Sequence, residues 1–177
     1  MRRQLAPIPF PIVPRWRRAA ALGIDGLLAG IASTFVGYGF WLQAVMFALV
    51  WLVLRVLVVS NNRGQSLGRW AMDIRLIEIR RRITPTLLTL TQREALLGIC
   101  AFLAFWGALH FSPTAAWTLL LLIPLGVVAA STLSDDNAGV AIHDQYTKTR
   151  VVPTDRGYSL DIKIRNLVAE LRQRVKK

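Results

Sequence analysis

Cysteine is nearly absent from this chain, and negative charge is scarce. Cys100 is the only cysteine, which rules out an intramolecular disulfide or a cysteine-based metal cluster; its apolar setting reads as packing. No Ser-His-Asp set, zinc-ligand spacing or Walker-type phosphate loop is present. The chain is therefore expected not to be an enzyme and to carry neither cofactor nor metal. Ten Asp and Glu face 22 Lys and Arg, a formal charge of +12. Such an excess suits nucleic acid only if it gathers on one soluble face. Here five cations lie in residues 1–18, seven in 63–93 and nine after Asp144, with Arg55 alone inside an apolar run. The joins at 37–41 and 110–115 carry none. The bias of Lys and Arg toward cytoplasmic loops puts those joins outside and both termini inside, and no nucleic-acid partner is expected.

What is abundant is apolar sequence. Apolar residues make up 54% of the 177 positions and mean hydropathy is +0.42, more than a soluble domain of this length readily hides. Apolar runs at 19–38, 40–59, 95–111 and 114–133 approach the roughly 20 residues that cross a hydrocarbon core of about 30 Å. A cleavable signal peptide is disfavoured by Asp25 inside the first run and by the lack of a small-residue cleavage site. The predicted fold is an all-α membrane protein: a four-transmembrane-helix bundle with cytoplasmic N and C termini, a small cytoplasmic β element and a basic amphipathic C-terminal helix. Residues 1–18 form a Pro-rich basic lead-in, 19–152 the membrane domain with a cytoplasmic loop at 60–92, and 153–177 the tail. Pro124 predicts a kink in the fourth span.

Asp25 is the anomaly of the first span. A carboxylate within an apolar helix costs about 2.5–3.5 kcal/mol on insertion scales, so it faces a partner or a wet cavity. Arg18 shares its helix face but lies roughly 10 Å shallower at about 1.5 Å per residue, so each needs a partner from elsewhere. Arg55 lies about 8 Å inside the inner end of the second span by the same rise, near the depth of Asp25 on the antiparallel neighbour. It either meets Asp25 or snorkels to the interface. Gly23, Gly26 and Gly30 form a stripe of the GxxxG kind that lets helices approach, within the monomer or between copies.

The 60–92 loop opens with turn-forming residues and continues Asp73 to Ile79 with alternating polarity, a strand signal. Thr149 to Val152 supplies a second strand on the same side; the rival reading continues Trp70 to Leu76 as an interfacial helix. In His143-Asp144, adjacent helical side chains point about 100° apart, which suits neither a proton relay nor a shared metal. The tail places Ile164, Leu167, Val168, Leu171 and Val175 at helical spacing amid Lys and Arg, the pattern of a helix resting on anionic headgroups. Residues 7–14, rich in proline, favour an extended polyproline form.

These scattered residues line up with one pattern. The chain resembles the RDD family of bacterial membrane proteins, named for one arginine and two aspartates. Arg18, Ala21 and Ile24-Asp25 match its first-span pattern. Gly64-Gln65-Ser66-Leu67-Gly68-Arg69 is similar to its loop motif Gly-x-Thr-x-Gly-Lys, with Ser for Thr and Arg for Lys. Arg93 matches the arginine opening the next span, and His143-Asp144 with Thr149-Arg150-Val151-Val152 matches the closing motif. The resemblance implies residence in a bacterial inner (plasma) membrane, with an internal photosynthetic membrane as the alternative, and a transport-related role, sodium/proton antiport being reported for some members.

Two functions follow as expectations. In the first, Asp25 exchanges a proton or binds a cation, alone or within a larger transporter, while Arg18, Arg55, Arg93, His143 and Asp144 complete a buried polar site; desolvation raises a carboxyl pKa and a nearby arginine lowers it. In the second, the protein is a non-catalytic scaffold of a homo-oligomer or larger membrane complex, and the Arg and Asp residues form a structural clasp.

Overall fold

A computed structural model describes residues 13–37, 39–130, 144, 146–154 and 162. The Pro-rich lead-in up to residue 12, His143 and the tail predicted as an amphipathic helix lie outside the described residues.

Helix α1 spans Arg15–Thr34, so the arginine cluster is itself helical and the helix begins four residues before the apolar run. Its buried stripe, Ala21, Asp25, Ala29 and Ser33, repeats every four residues and is made of small or short side chains. Helix α2, Phe40–Leu52, continues through a π-helical turn, Val53–Leu57, into α3, Val58–Asn61. Gln43, Phe47, Trp51, Arg55 and Val59 are buried along it, again four apart. In a regular α-helix of 3.6 residues per turn a four-residue step overshoots by about 40°. The wider π turn takes up part of that drift and keeps Arg55 and Val59 on the buried face.

A short helix α4, Leu67–Ala71, leads into strand β1, Ile74–Glu78. It pairs antiparallel with β2, Thr149–Pro153, in the register Ile74 to Pro153 through Glu78 to Thr149. The strand reading of 73–79 and its distant partner thus describe the backbone, and the interfacial-helix alternative does not. Ile74, Leu76 and Val151 pack with Ala21, Val56, Val59 and Leu90 in one apolar cluster, which fixes the ribbon across one end of the helices. A two-stranded ribbon is marginal alone.

Helix α5, Leu87–Leu109, starts eight residues before the predicted third span. Thr86 caps it by accepting from the Thr89 N–H, so the helix runs through polar residues that hydropathy assigns to the loop. Glu94, which lies just outside the predicted third run, thus sits two turns inside α5 and is fully buried. A 3-10 segment, Pro113–Leu122, then hands over to α6, Ile123–Ala130. The break in this last pair falls at Ala115 (φ −121°, ψ 37°) rather than at Pro124. Pro124 sits in the first turn of α6, where its missing N–H costs least.

Toward the other end of the bundle the core is aromatic. Phe47 stacks on Trp51 at 5.6 Å between centroids and meets Phe102 at 5.4 Å. Among the described residues, three segments can cross a membrane by length and composition: Phe40–Asn61, Leu87–Leu109 and Pro113–Ala130. Helix α1 carries Arg15, Arg17, Arg18 and Asp25 and is less apolar than these.

Candidate functional site: a buried arginine-carboxylate cluster

Asp25 is inaccessible to solvent and accepts from three donors on two other segments. Its Oδ2 takes Arg55 Nη1 at 2.8 Å and the Ser66 hydroxyl at 2.6 Å, and its Oδ1 takes the Gly68 backbone N–H at 2.8 Å. Arg55 meets Asp25 and does not snorkel. Its guanidinium also donates from Nε to Glu94 Oε2 at 2.6 Å and from Nη2 to Oε1 at 3.3 Å. It lies 4.9 Å from the centroid of the Trp51 ring, whose Nε1–H is tied to the Glu94 carbonyl at 3.1 Å.

Glu94 is the hub. Besides Arg55 it accepts Arg69 Nη2 at 2.7 Å and a short bond from Arg93 Nη1. Arg93 reaches onward with Nε and Nη2 to Asp144 Oδ1 at 2.8 and 2.7 Å, and Asp144 Oδ2 accepts from Arg18 Nη2. One continuous network, Arg18, Asp144, Arg93, Glu94, Arg55 and Asp25 with Arg69 as a branch, therefore joins α1, the π turn, α4, α5 and the approach to β2. Four arginines face three carboxylates within it, which leaves one positive charge in excess.

The loop motif explains itself locally. Gly64 has φ +86°, and a Cβ there would stand 2.2 Å from the Leu76 carbonyl oxygen, so only glycine lets the loop lie against β1. Ser66 caps α4 through the Arg69 N–H at 3.3 Å while its hydroxyl holds Asp25. At Gly68 a Cβ would meet the Ala21 carbonyl oxygen at 2.1 Å, so α4 can approach α1 closely enough for its backbone to reach Asp25. Serine in place of threonine keeps the hydroxyl, and arginine in place of lysine keeps a cation on Glu94. Burial and the neighbouring Arg55 push Arg69 down to about 9, which leaves it charged at neutral pH.

Of the sequence-predicted residues, Asp25, Arg18, Arg55, Arg93, Asp144, Gly64, Ser66, Gly68 and Arg69 come together at this end of the bundle. The glycine stripe divides. A Cβ on Gly30 would collide with the Phe105 ring at 2.3 Å, one on Gly26 would touch Trp51 at 4.0 Å, and one on Gly23 would meet nothing within 4 Å. Among the described residues Gly23 therefore packs against nothing; Ala21, Asp25, Ala29, Gly30 and Ser33 make the buried face. Sequence reasoning missed Glu94, Trp51 and Gly98, where a Cβ would lie 2.8 Å from Trp51 Nε1. The signal was available in spacing: Trp51 stands one turn before Arg55, and Gly98 one turn after Glu94. Among the described residues no group of three or more His, Cys, Asp or Glu side chains is placed to hold a metal ion.

Apolar helices closed at one end by an arginine-carboxylate network define a helical membrane protein. Its pattern matches the RDD family over residues 12–148, most of the chain, and the protein belongs to that family. Neither curated proteins nor solved structures yield a match.

Proposed function

We propose that this protein is a four-span, non-catalytic scaffold of a membrane assembly, with α1 as the first span and the arginine-carboxylate network as a clasp on the cytoplasmic side. The observation that carries the reading is the saturation of the three clustered carboxylates. Asp25 accepts three donors, Glu94 is ringed by Arg55, Arg69 and Arg93, and Asp144 lies between Arg18 and Arg93. A cation at any of them would have to displace a guanidinium and enter a cluster whose fixed charge is already positive. Buried ion networks of this kind serve to specify one arrangement of segments in the systems where that role is best attested. Orientation follows from the distribution of Lys and Arg, which sit at the clasp end.

A second feature favours assembly. Of Pro113–Ala130 only Thr118 is buried inside the chain, whereas half of the most apolar stretch of α5 is. Among the described residues, this last span therefore leaves most of its apolar side chains uncovered, facing lipid or another subunit, with Leu125 and Val128 packed inward. The test is reconstitution of purified protein into vesicles carrying a pH-sensitive dye, with imposed sodium or potassium gradients. Flux no greater than in protein-free vesicles is expected, with Asp25→Asn lowering the yield of folded protein and its co-purifying partners. Cation-driven proton flux that Asp25→Asn abolishes at equal protein density would overturn the reading.

A further inference from the structure

A cavity of about 480 Å³ lies between α1, α5 and α6, within the range of about 300–1,000 Å³ typical of ligand sites. Its walls are apolar and mostly small: Gly23 and Gly26 on α1, Ala104 and Ala108 on α5, Leu125 and Val128 on α6. One end is different. Arg15, Arg18, Arg55, Arg69 and Arg93 all border it, and none of the three clasp carboxylates does. From Arg93 to Ala108 the cavity follows α5 for about 22 Å at 1.5 Å per residue. It is therefore long, narrow, apolar along its length and cationic at its head, the shape of one alkyl chain bearing an anion.

Arg69 supplies the independent sign of a ligand. Its side chain is 3% exposed, it borders the cavity, and its Nη1 is buried with no hydrogen-bond partner. Nη2 is already spent on Glu94, so the guanidinium keeps one donor group in reserve. Arginine donors in a dry site match phosphate oxygens better than any neutral group. We propose that this cleft seats one chain of an anionic phospholipid, its phosphate held at the arginine-lined head, where the Arg69 side chain turns to bring its unpartnered Nη1 to the phosphate, and its acyl chain lying along the Gly23 and Ala104 walls. The lipid then completes the charge balance of the clasp, and the glycines of α1 leave room for it. The proposal stands or falls independently of ion flux.

Bound phospholipid is counted by mass spectrometry of the intact full-length protein in mild detergent. Thermal unfolding is then followed after stripping and adding back phosphatidylglycerol, phosphatidylcholine, palmitate or inorganic phosphate. Wild type is expected to retain phosphatidylglycerol and to be stabilised by it more than by the other three. Gly23→Leu, whose new side chain enters the cleft without touching the clasp, should weaken retention about tenfold while the stripped protein melts as wild type does; Ala104→Leu fills the opposite wall as a second variant. The proposal is overturned if phosphatidylcholine or phosphate matches phosphatidylglycerol, if palmitate exceeds it and the source is a free amphiphile, if wild type neither retains nor responds to lipid, or if retention survives both fillings.

Discussion

Glu94→Gln keeps the shape of the hub side chain and removes its charge. The carboxylate accepts from Arg55 Nε and Nη2, Arg69 Nη2 and Arg93 Nη1; glutamine leaves one acceptor oxygen and turns an NH2 toward guanidinium donors. Four arginines would then face two carboxylates in a site closed to water. Removing one member of a buried ion pair costs about 3–5 kcal/mol, a large share of a total stability of about 5–15 kcal/mol. For a chain of this size that corresponds to a fall of about 6–20 °C in melting temperature. The assay is thermal unfolding in one fixed detergent, followed by helical circular dichroism and by size exclusion. Arg69→Gln alone and the double variant complete a cycle: if the loss comes from uncompensated cation, the double variant should lose less than the sum of the singles, by about 0.5–3 kcal/mol. A loss under about 1 kcal/mol, the size of an exposed pair, or strict additivity in the cycle, would refute the hub role.

The neighbouring positions behave differently. Gly68→Ala should cost at least the about 1–3 kcal/mol of core overpacking, because its Cβ would stand 2.1 Å from the Ala21 carbonyl oxygen; a melting temperature equal to wild type would contradict the close approach of α4 to α1. Gly64→Ala should be destabilising through its positive φ as well as its clash with Leu76, seen as loss of protease resistance in the 60–92 loop. Arg69→Lys, which restores the residue of the family's loop pattern, should change stability by less than about 1 kcal/mol, since Arg69 meets Glu94 through a single nitrogen. Asp144→Asn should leave the helices folded and release β2, read as faster amide exchange at Ile74 to Glu78 with little change at Phe47 to Trp51.

The clasp gives meaning to residues that look unrelated along the chain. Arg18 and Asp144 are separated by 126 positions and Asp25 and Gly68 by 43, yet each pair is in direct contact. A loop that would otherwise hang from the membrane end is pinned at Gly64 to β1, at Ser66 and Gly68 to α1, and at Arg69 to α5. Loss of Asp25 or Glu94 therefore acts on several segments together, as expected of a device that specifies an arrangement.

Much of this was legible in the sequence because the bilayer imposes strong rules. Apolar runs of sufficient length located α2, α5 and the last span, alternating polarity located β1, and equal depth on antiparallel helices offered Arg55 as a partner for Asp25, with snorkelling as the rival. The hub escaped because hydropathy marks the apolar part of a helix and not its start: Thr86 begins α5 two turns before Glu94, which hydropathy leaves just outside the apolar run at 95–111. Gly23 reads as a packing glycine by spacing, yet it opens onto a cavity, since which face of α1 meets a neighbour depends on where α2 and α5 stand. The covalent order of residues thus determined which segments are helical and which charges must find partners. Only the tertiary structure decided which partners they are, because burial of a charge is tolerable solely where other segments deliver opposite charge within about 3 Å.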